Sequence, residues 1–387
     1  MVFSPIQPLI IKGRQLLPIV QGGMGVGVSA HRLAGSVAQQ NAVGTIASVD
    51  LRRLHPDLME QTGRSRDKQA INEANLVALD REVRAAKELS GGNGIIAVNV
   101  MRAVTEYADL VRQACKSGAD AIVMGAGLPL DLPEITAEFP NVALIPILSD
   151  VRGIALVVKK WLRKGRLPDA VVIEHPRYAG GHLGAAKPED ITDARFDFET
   201  VLPGAQQALR DMDIDPARVP LIPAGGINSH EQVLHLLGLG AAAVQLGTPF
   251  AVTGEGDAHQ NFKKVLTEAG PQDIVTFMST AGLPARAVRT PWLNNYLRRE
   301  SMLMAAAEHK EHKCTLVWDC LQTCGLRDSL SKAGQFCIDN QLAAALRGDI
   351  EKGLFFRGAE PLPLGRAIRS VKELIDYMLY GRMPQPA

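Results

Sequence analysis

The sequence predicts an α/β fold in which eight parallel strands close into a (β/α)8 barrel, followed by a helical C-terminal extension. Three observations carry this reading. Between Leu17 and Gly247, eight short apolar runs alternate with helical segments, and near-continuous apolar runs imply strands buried on both faces, as parallel sheets require. No hairpin signal such as Asn-Gly separates alternating runs. Glycine loops follow several of the runs, at the strand ends where parallel α/β folds bind ligands. A TIM barrel of about 250 residues plus an appendage suits the 387-residue length, with domains expected at 1–290 and 291–387.

The runs and helices follow in order. Leu17–Gln21 is the first strand, and Gly22-Gly23-Met24-Gly25-Val26-Gly27 leads to Ser29, expected to cap a helix reaching Gln40. Val43–Ser48 is the second strand. Gly25-x-Gly27-x-x-Ala30, with Asp50 beyond that strand, satisfies a relaxed dinucleotide fingerprint, but the number of units that follow argues for a barrel. A charged helix over Arg66–Leu89 leads to Gly94–Val100, a helix over Val104–Ser117 to Ala121–Gly125, and a short helix near Leu132–Ala137 to Ala143–Leu148. The helix Arg152–Lys164 feeds Ala170–Glu174. Beyond a charged insertion, a helix around Phe198–Asp211 precedes Val219–Ala224. A helix capped by Ser229 precedes the last strand, Ala242–Gly247.

Charge and composition exclude some functions. Lys plus Arg number 42 and Asp plus Glu 41, so no basic field marks a nucleic-acid or membrane binder. The 36 glycines are scattered rather than gathered in a low-complexity tract, as in a loop-rich α/β enzyme. Met1–Pro5 lacks a basic segment followed by an apolar one, and no apolar run approaches about 18 residues. A cytoplasmic protein is expected.

Two glycine loops, Ala224-Gly225-Gly226-Ile227-Asn228 and Gln245-Leu246-Gly247-Thr248-Pro249-Phe250, close the seventh and eighth strands. In TIM barrels these positions commonly bind phosphate through backbone N–H groups and a short extra helix. Gly225, Gly226 and Gly247 permit close approach, and Thr248 adds a hydroxyl. Gln21, Gly22, Gly23 and Met24 lie across the same rim, with Asn99 ending the third strand. Glycine loops can cover a flat ring, and amides offer it a donor and an acceptor. A phosphate anchor facing such groups suits flavin mononucleotide (FMN). After the sixth strand, Ala179-Gly180-Gly181-His182-Leu183-Gly184 sets an imidazole among glycines, where a proton can move near neutral pH.

Together, Pro18–Gly25, Val98-Asn99, Ala179–Gly184, Ala224–Ile227, Gln245–Thr248 and Gly282-Leu283-Pro284-Ala285-Arg286 resemble the nitronate monooxygenase family. Flavin-type enoyl-acyl-carrier-protein reductases share the pattern. The resemblance spans roughly Leu17–Thr290 and implies a TIM barrel with non-covalent FMN and His182 as catalytic histidine. It implies that Gly225, Gly226, Gly247 and Thr248 hold the phosphate. Gln21, Gly22, Gly23, Met24 and Asn99 would border the isoalloxazine, and Gly180, Gly181 and Gln245 complete the cofactor set. Where the family usually carries a Gly-x-Glu-Ala segment, this chain has Glu174-His175-Pro176-Arg177-Tyr178, so the substrate pocket is expected to differ. His175, followed by proline and remote from the glycines, is expected to point outward.

For a nitronate monooxygenase, His182 would deprotonate a neutral nitroalkane or orient an anionic nitronate, with electrons passing through FMN to O2. In an enoyl-thioester reductase it would position or protonate a thioester intermediate, with NAD(P)H as reductant. A third reading is a flavin-binding accessory subunit whose C-terminal segment docks a partner enzyme. In that segment Cys314, Cys320, Cys324 and Cys337 crowd together without a Cys-x-x-Cys pair. They read as buried thiols on packed helices rather than metal ligands. Tyr296–Lys313 is expected to be helical, with His309 and His312 on a solvated face. Asn340–Gly348 reads as a short helix, Gly353–Gly358 as an element closing the barrel mouth, and Ile368–Tyr380 as an amphipathic final helix. The extension is expected to cap the barrel or make a homodimer contact.

Overall fold

The computed structural model describes residues 6–309, 314 and 318–385. Its centre is a closed parallel barrel of Ile19–Gln21, Val43–Ala47, Ile95–Met101, Ala121–Gly125, Ala143–Leu148, Val171–Glu174, Leu221–Ala224 and Val244–Leu246. Each strand pairs with the next in sequence, and the eighth returns to the first with Leu246 opposite Gln21. The eight apolar runs are therefore the eight staves. Helices such as Lys68–Ser90, Val151–Leu162 and Phe198–Arg210 cover the outside, each burying one apolar stripe on the strands. Among the described residues no helix is long and apolar enough to cross a membrane.

Helix capping departs from the expected pattern at the first helix, His31–Gln39, which starts after Ala30 and receives no cap from Ser29. Asp257 takes that role across the fold, accepting from the backbone N–H groups of Ala30 at 2.8 Å and Leu33 at 3.1 Å. Ser29 Oγ instead accepts from Met24 N–H at 2.8 Å, tying down the first glycine loop. The seventh-strand loop follows expectation, Ser229 Oγ accepting from Gln232 N–H.

Two antiparallel elements lacked the expected Asn-Gly signal. Leu9–Ile11 and Arg14–Leu16 form a hairpin whose turn places Lys12 at φ 49° and Gly13 at φ 76°, the primed geometry that suits strand twist with a lysine in the unusual position. Leu9, Ile11 and Leu16 pack with Val43, Ile95, Ala121 and Ala143, the first residues of four barrel strands, and so plug the N-terminal end. The second hairpin, Ile274–Met278 with Pro284–Val288, closes through a five-residue loop and pairs with Gly181–His182, Ala285 opposite His182.

The C-terminal extension is less helical than expected. Helices Pro291–Leu297, Glu300–Ala305, Ile338–Leu346 and Val371–Tyr380 are joined by long irregular stretches, and Phe356 bridges to Ala287. Part of the helix expected over Tyr296–Lys313, including His312 and the His309 side chain, lies outside the described residues. The final helix has a complete capping box at Ser370 and Glu373. Its Leu374, Ile375, Met378 and Leu379 join the same apolar core as the barrel helices.

Candidate active site

The C-terminal strand ends surround a cavity of about 690 Å³. The register sets its layout. Ala224 pairs with Gln245, so the Gly225-Gly226 and Gly247-Thr248 loops lie side by side, and Thr248 opens the short helix Thr248–Ala251. Gly226 adopts φ +77°, and an added Cβ would come within 2.8 Å of the Tyr178 ring; no other residue type fits there without displacing the aromatic. Thr248 Oγ1 accepts from Gly358 N–H at 3.0 Å, so the C-terminal chain completes this corner.

Across the cavity, Gly23 lies against Asn99, where a Cβ would approach the Asn99 Cβ to 2.5 Å. The half-buried amides of Asn99 and Gln245 line the cavity and have no hydrogen-bond partner among the described residues. Gln21 differs. Its fully buried amide donates to Thr45 O at 3.0 Å and to Gly22 O at 2.5 Å and accepts from Thr45 N–H at 2.8 Å. That side chain clamps the first two strands and does not line the cavity, so of the ring-bordering set Gln21 alone is occupied elsewhere. Gly22, Gly23, Met24, Asn99, Gly180, Gly181, His182, Gly225, Gly226, Gln245, Gly247 and Thr248 all line it.

His182 sits on the added antiparallel sheet at the cavity wall. Its Nε2 lies 3.0 Å from Ser279 Oγ, and its ring centroid is 5.9 Å from that of Phe356. Nδ1 has no partner among the described residues. Burial lowers the imidazole to about 4, because removing water penalises the charged ring, and His182 is neutral at physiological pH. The loop before it is held by Arg286, whose Nη1 donates to Ala179 O at 2.5 Å and Pro176 O at 3.2 Å.

His175 corrects the outward expectation. It is 2% exposed, its Nε2 is 3.2 Å from Asp197 Oδ1, and its ring packs on Tyr178 and Phe198. Arg177 N–H donates to His175 Nδ1, so both ring nitrogens are engaged within the fold. Asp50 lies in a buried ion-pair group with Arg52 and Arg53, the latter also pairing Asp339, and does not line the cavity. Among the described residues no three His, Cys, Asp or Glu side chains are placed to hold a metal ion. Cys320 and Cys324 are pushed up by burial. Phe356 and Gly358 line the wall, as expected of the Gly353–Gly358 element that closes the barrel mouth, whereas Ser279, buried against His182, carries no local sequence signal.

The nitronate monooxygenase pattern matches residues 9–381. The chain belongs to the nitronate monooxygenase family. Over 287 residues it is 29% identical to a probable nitronate monooxygenase of Bacillus subtilis, covering 71% of this chain and 77% of that protein. Two solved structures share its fold, each at TM-score 0.61 over 94% of this chain. FabK from Thermotoga maritima is 22% identical with 91% of its chain covered, and nitroalkane oxidase from Streptomyces ansochromogenes is 20% identical with 96% covered. Family membership makes the chain an FMN-dependent oxidoreductase. The cavity suits that cofactor on its own features: two adjoining glycine loops at the phosphate position, and the unpaired amides of Gln245 and Asn99 against Gly22 and Gly23.

Proposed function

We propose that this member of the family oxidises alkyl nitronates and their parent nitroalkanes, with His182 as base. The supporting observation is a half-buried, neutral imidazole at the cavity wall, oriented through Ser279. In the tautomer this role needs, Nε2–H donates to Ser279 Oγ, and the Nδ1 lone pair takes the proton from the substrate α-carbon. The negative charge that appears on the nitro group offsets the cost of the imidazolium formed beside it. When bound, FMN supplies the redox chemistry between substrate and O2. Gly225, Gly226, Gly247 and Thr248 would hold its phosphate. Gly22, Gly23, Met24, Asn99, Gly180, Gly181 and Gln245 would border its ring system.

The apolar part of the wall, with Val104, Leu128, Leu321, Ile338 and Leu342, also favours a second reading, reduction of an enoyl thioester whose acyl chain lies there. Anaerobic mixing separates the two. Bleaching of the flavin by propyl nitronate, and not by NAD(P)H, is the expected result; bleaching by NAD(P)H alone would replace the first reading with the second.

A further inference from the structure

Glu174 ends the sixth barrel strand at the cavity, and the proton transfer assigned to His182 makes no use of it. Its carboxyl has no hydrogen-bond or ion-pair partner among the described residues. A Cβ on Gly184 would lie 3.4 Å from Glu174 Oε2 and 2.5 Å from Ser149 Oγ, which places the carboxyl beside the histidine loop. The Ser149 hydroxyl is directed to Gly184 O at 3.4 Å.

The other charged groups on the wall are held elsewhere. Asp150 accepts from Gly153 N–H on the next helix, and Arg195 pairs with Asp190 and Asp193. Arg357 donates to the carbonyls of Leu266, Gly358 and Glu360. Asp339 pairs with Arg53, and Glu360 adds a further carboxylate. His182 is neutral, and His175 faces Asp197. None of these groups forms an ion pair with Glu174, and Arg357, though charged, directs its donors to backbone carbonyls.

FMN brings a phosphate of charge near −2 above pH 7. An anion entering a low-dielectric cavity beside an unpaired carboxylate raises the carboxyl's proton affinity. We propose that seating FMN in this cavity takes up a proton at the Glu174 carboxyl, so that cofactor and proton bind as a pair. The inference rests on the cavity being the flavin site. Burial alone already lifts this carboxyl to about 7, so the apoprotein loses the proton as pH rises past neutrality and must regain it to bind. Affinity for FMN therefore falls as pH rises, by up to about tenfold per pH unit for one linked proton.

The test uses full-length apoprotein titrated with FMN. Calorimetry at pH 8 in two buffers of different ionisation enthalpy counts the protons taken up, and flavin fluorescence quenching follows Kd from pH 7 to 9. Wild type is expected to take up a proton fraction approaching one, with Kd weakening across the range. Glu174→Gln and Glu174→Leu are expected to bind FMN without uptake and with a flat Kd. Asp339, another wall carboxyl pushed up by burial, serves as control, and Asp339→Asn should keep the uptake. FMN binding without proton uptake in wild type would overturn the coupling while leaving the site intact. Uptake that persists in both Glu174 variants, or vanishes in Asp339→Asn, would also overturn it. Failure of wild type to bind FMN at all would overturn both the coupling and the site.

Discussion

The two ends of the barrel are built from the same eight strands by opposite means. At the N-terminal end the hairpin residues Leu9, Ile11 and Leu16 fill the interior against Val43, Ile95 and Ala121, leaving closely packed aliphatic side chains. At the C-terminal end glycines replace side chains, and Asn99, Gln245 and His182 face a cavity. The first end is a core that holds the staves together, and the second is backbone arranged to receive a ligand. Stability and chemistry are thus separated along one axis, which agrees with the general division of TIM barrels.

That separation can be broken by substitutions at either end. The largest effect is expected from His182→Asn, which keeps the fold and FMN but lowers turnover of a carbon-protonated nitroalkane by about 10²–10⁴-fold; steady-state assays of the parent nitroalkane against its nitronate measure it, and equal loss on both would remove the base role. Next is Leu16→Ala at the opposite end, expected to cost about 2–5 kcal/mol in urea unfolding with FMN stoichiometry unchanged. A fall in FMN affinity in that variant would show that the two ends are coupled. Smaller in energy is Gly226→Val, expected to weaken FMN binding by about tenfold or more, because the φ +77° backbone and the Tyr178 ring resist a side chain. Its stability in urea unfolding should also fall, by about 1–3 kcal/mol, because valine at positive φ is strained in the folded protein.

The same contrast explains what could be read in the sequence. The staves and the glycine loops after the first, sixth, seventh and eighth strands were legible because apolar runs and glycines are local signals. Gln21 was legible as an amide at a strand end, but its partner, Thr45, comes from the neighbouring strand. The N-terminal plug was missed because its turn uses Lys12-Gly13 in place of the expected Asn-Gly. The cap on the first helix comes from Asp257, and the residue that orients His182 is Ser279. Both lie far along the chain, where no window of local pattern reaches. His175 was misjudged because its aromatic cage, Tyr178 and Phe198, forms only once the sixth-strand loop folds back.

The bond from Gly358 N–H to Thr248 Oγ1 has a consequence for how the protein is made. The Thr248 corner receives a wall residue from position 358, while the first glycine loop begins at Gly22. Chains leave the ribosome N-terminus first, so the barrel staves are all outside before the strap that closes the cavity has been synthesised. A nascent chain stalled near residue 300 would carry every strand and both glycine loops, yet present an open basin. The cavity is in this sense completed only after every stave of the barrel has been made.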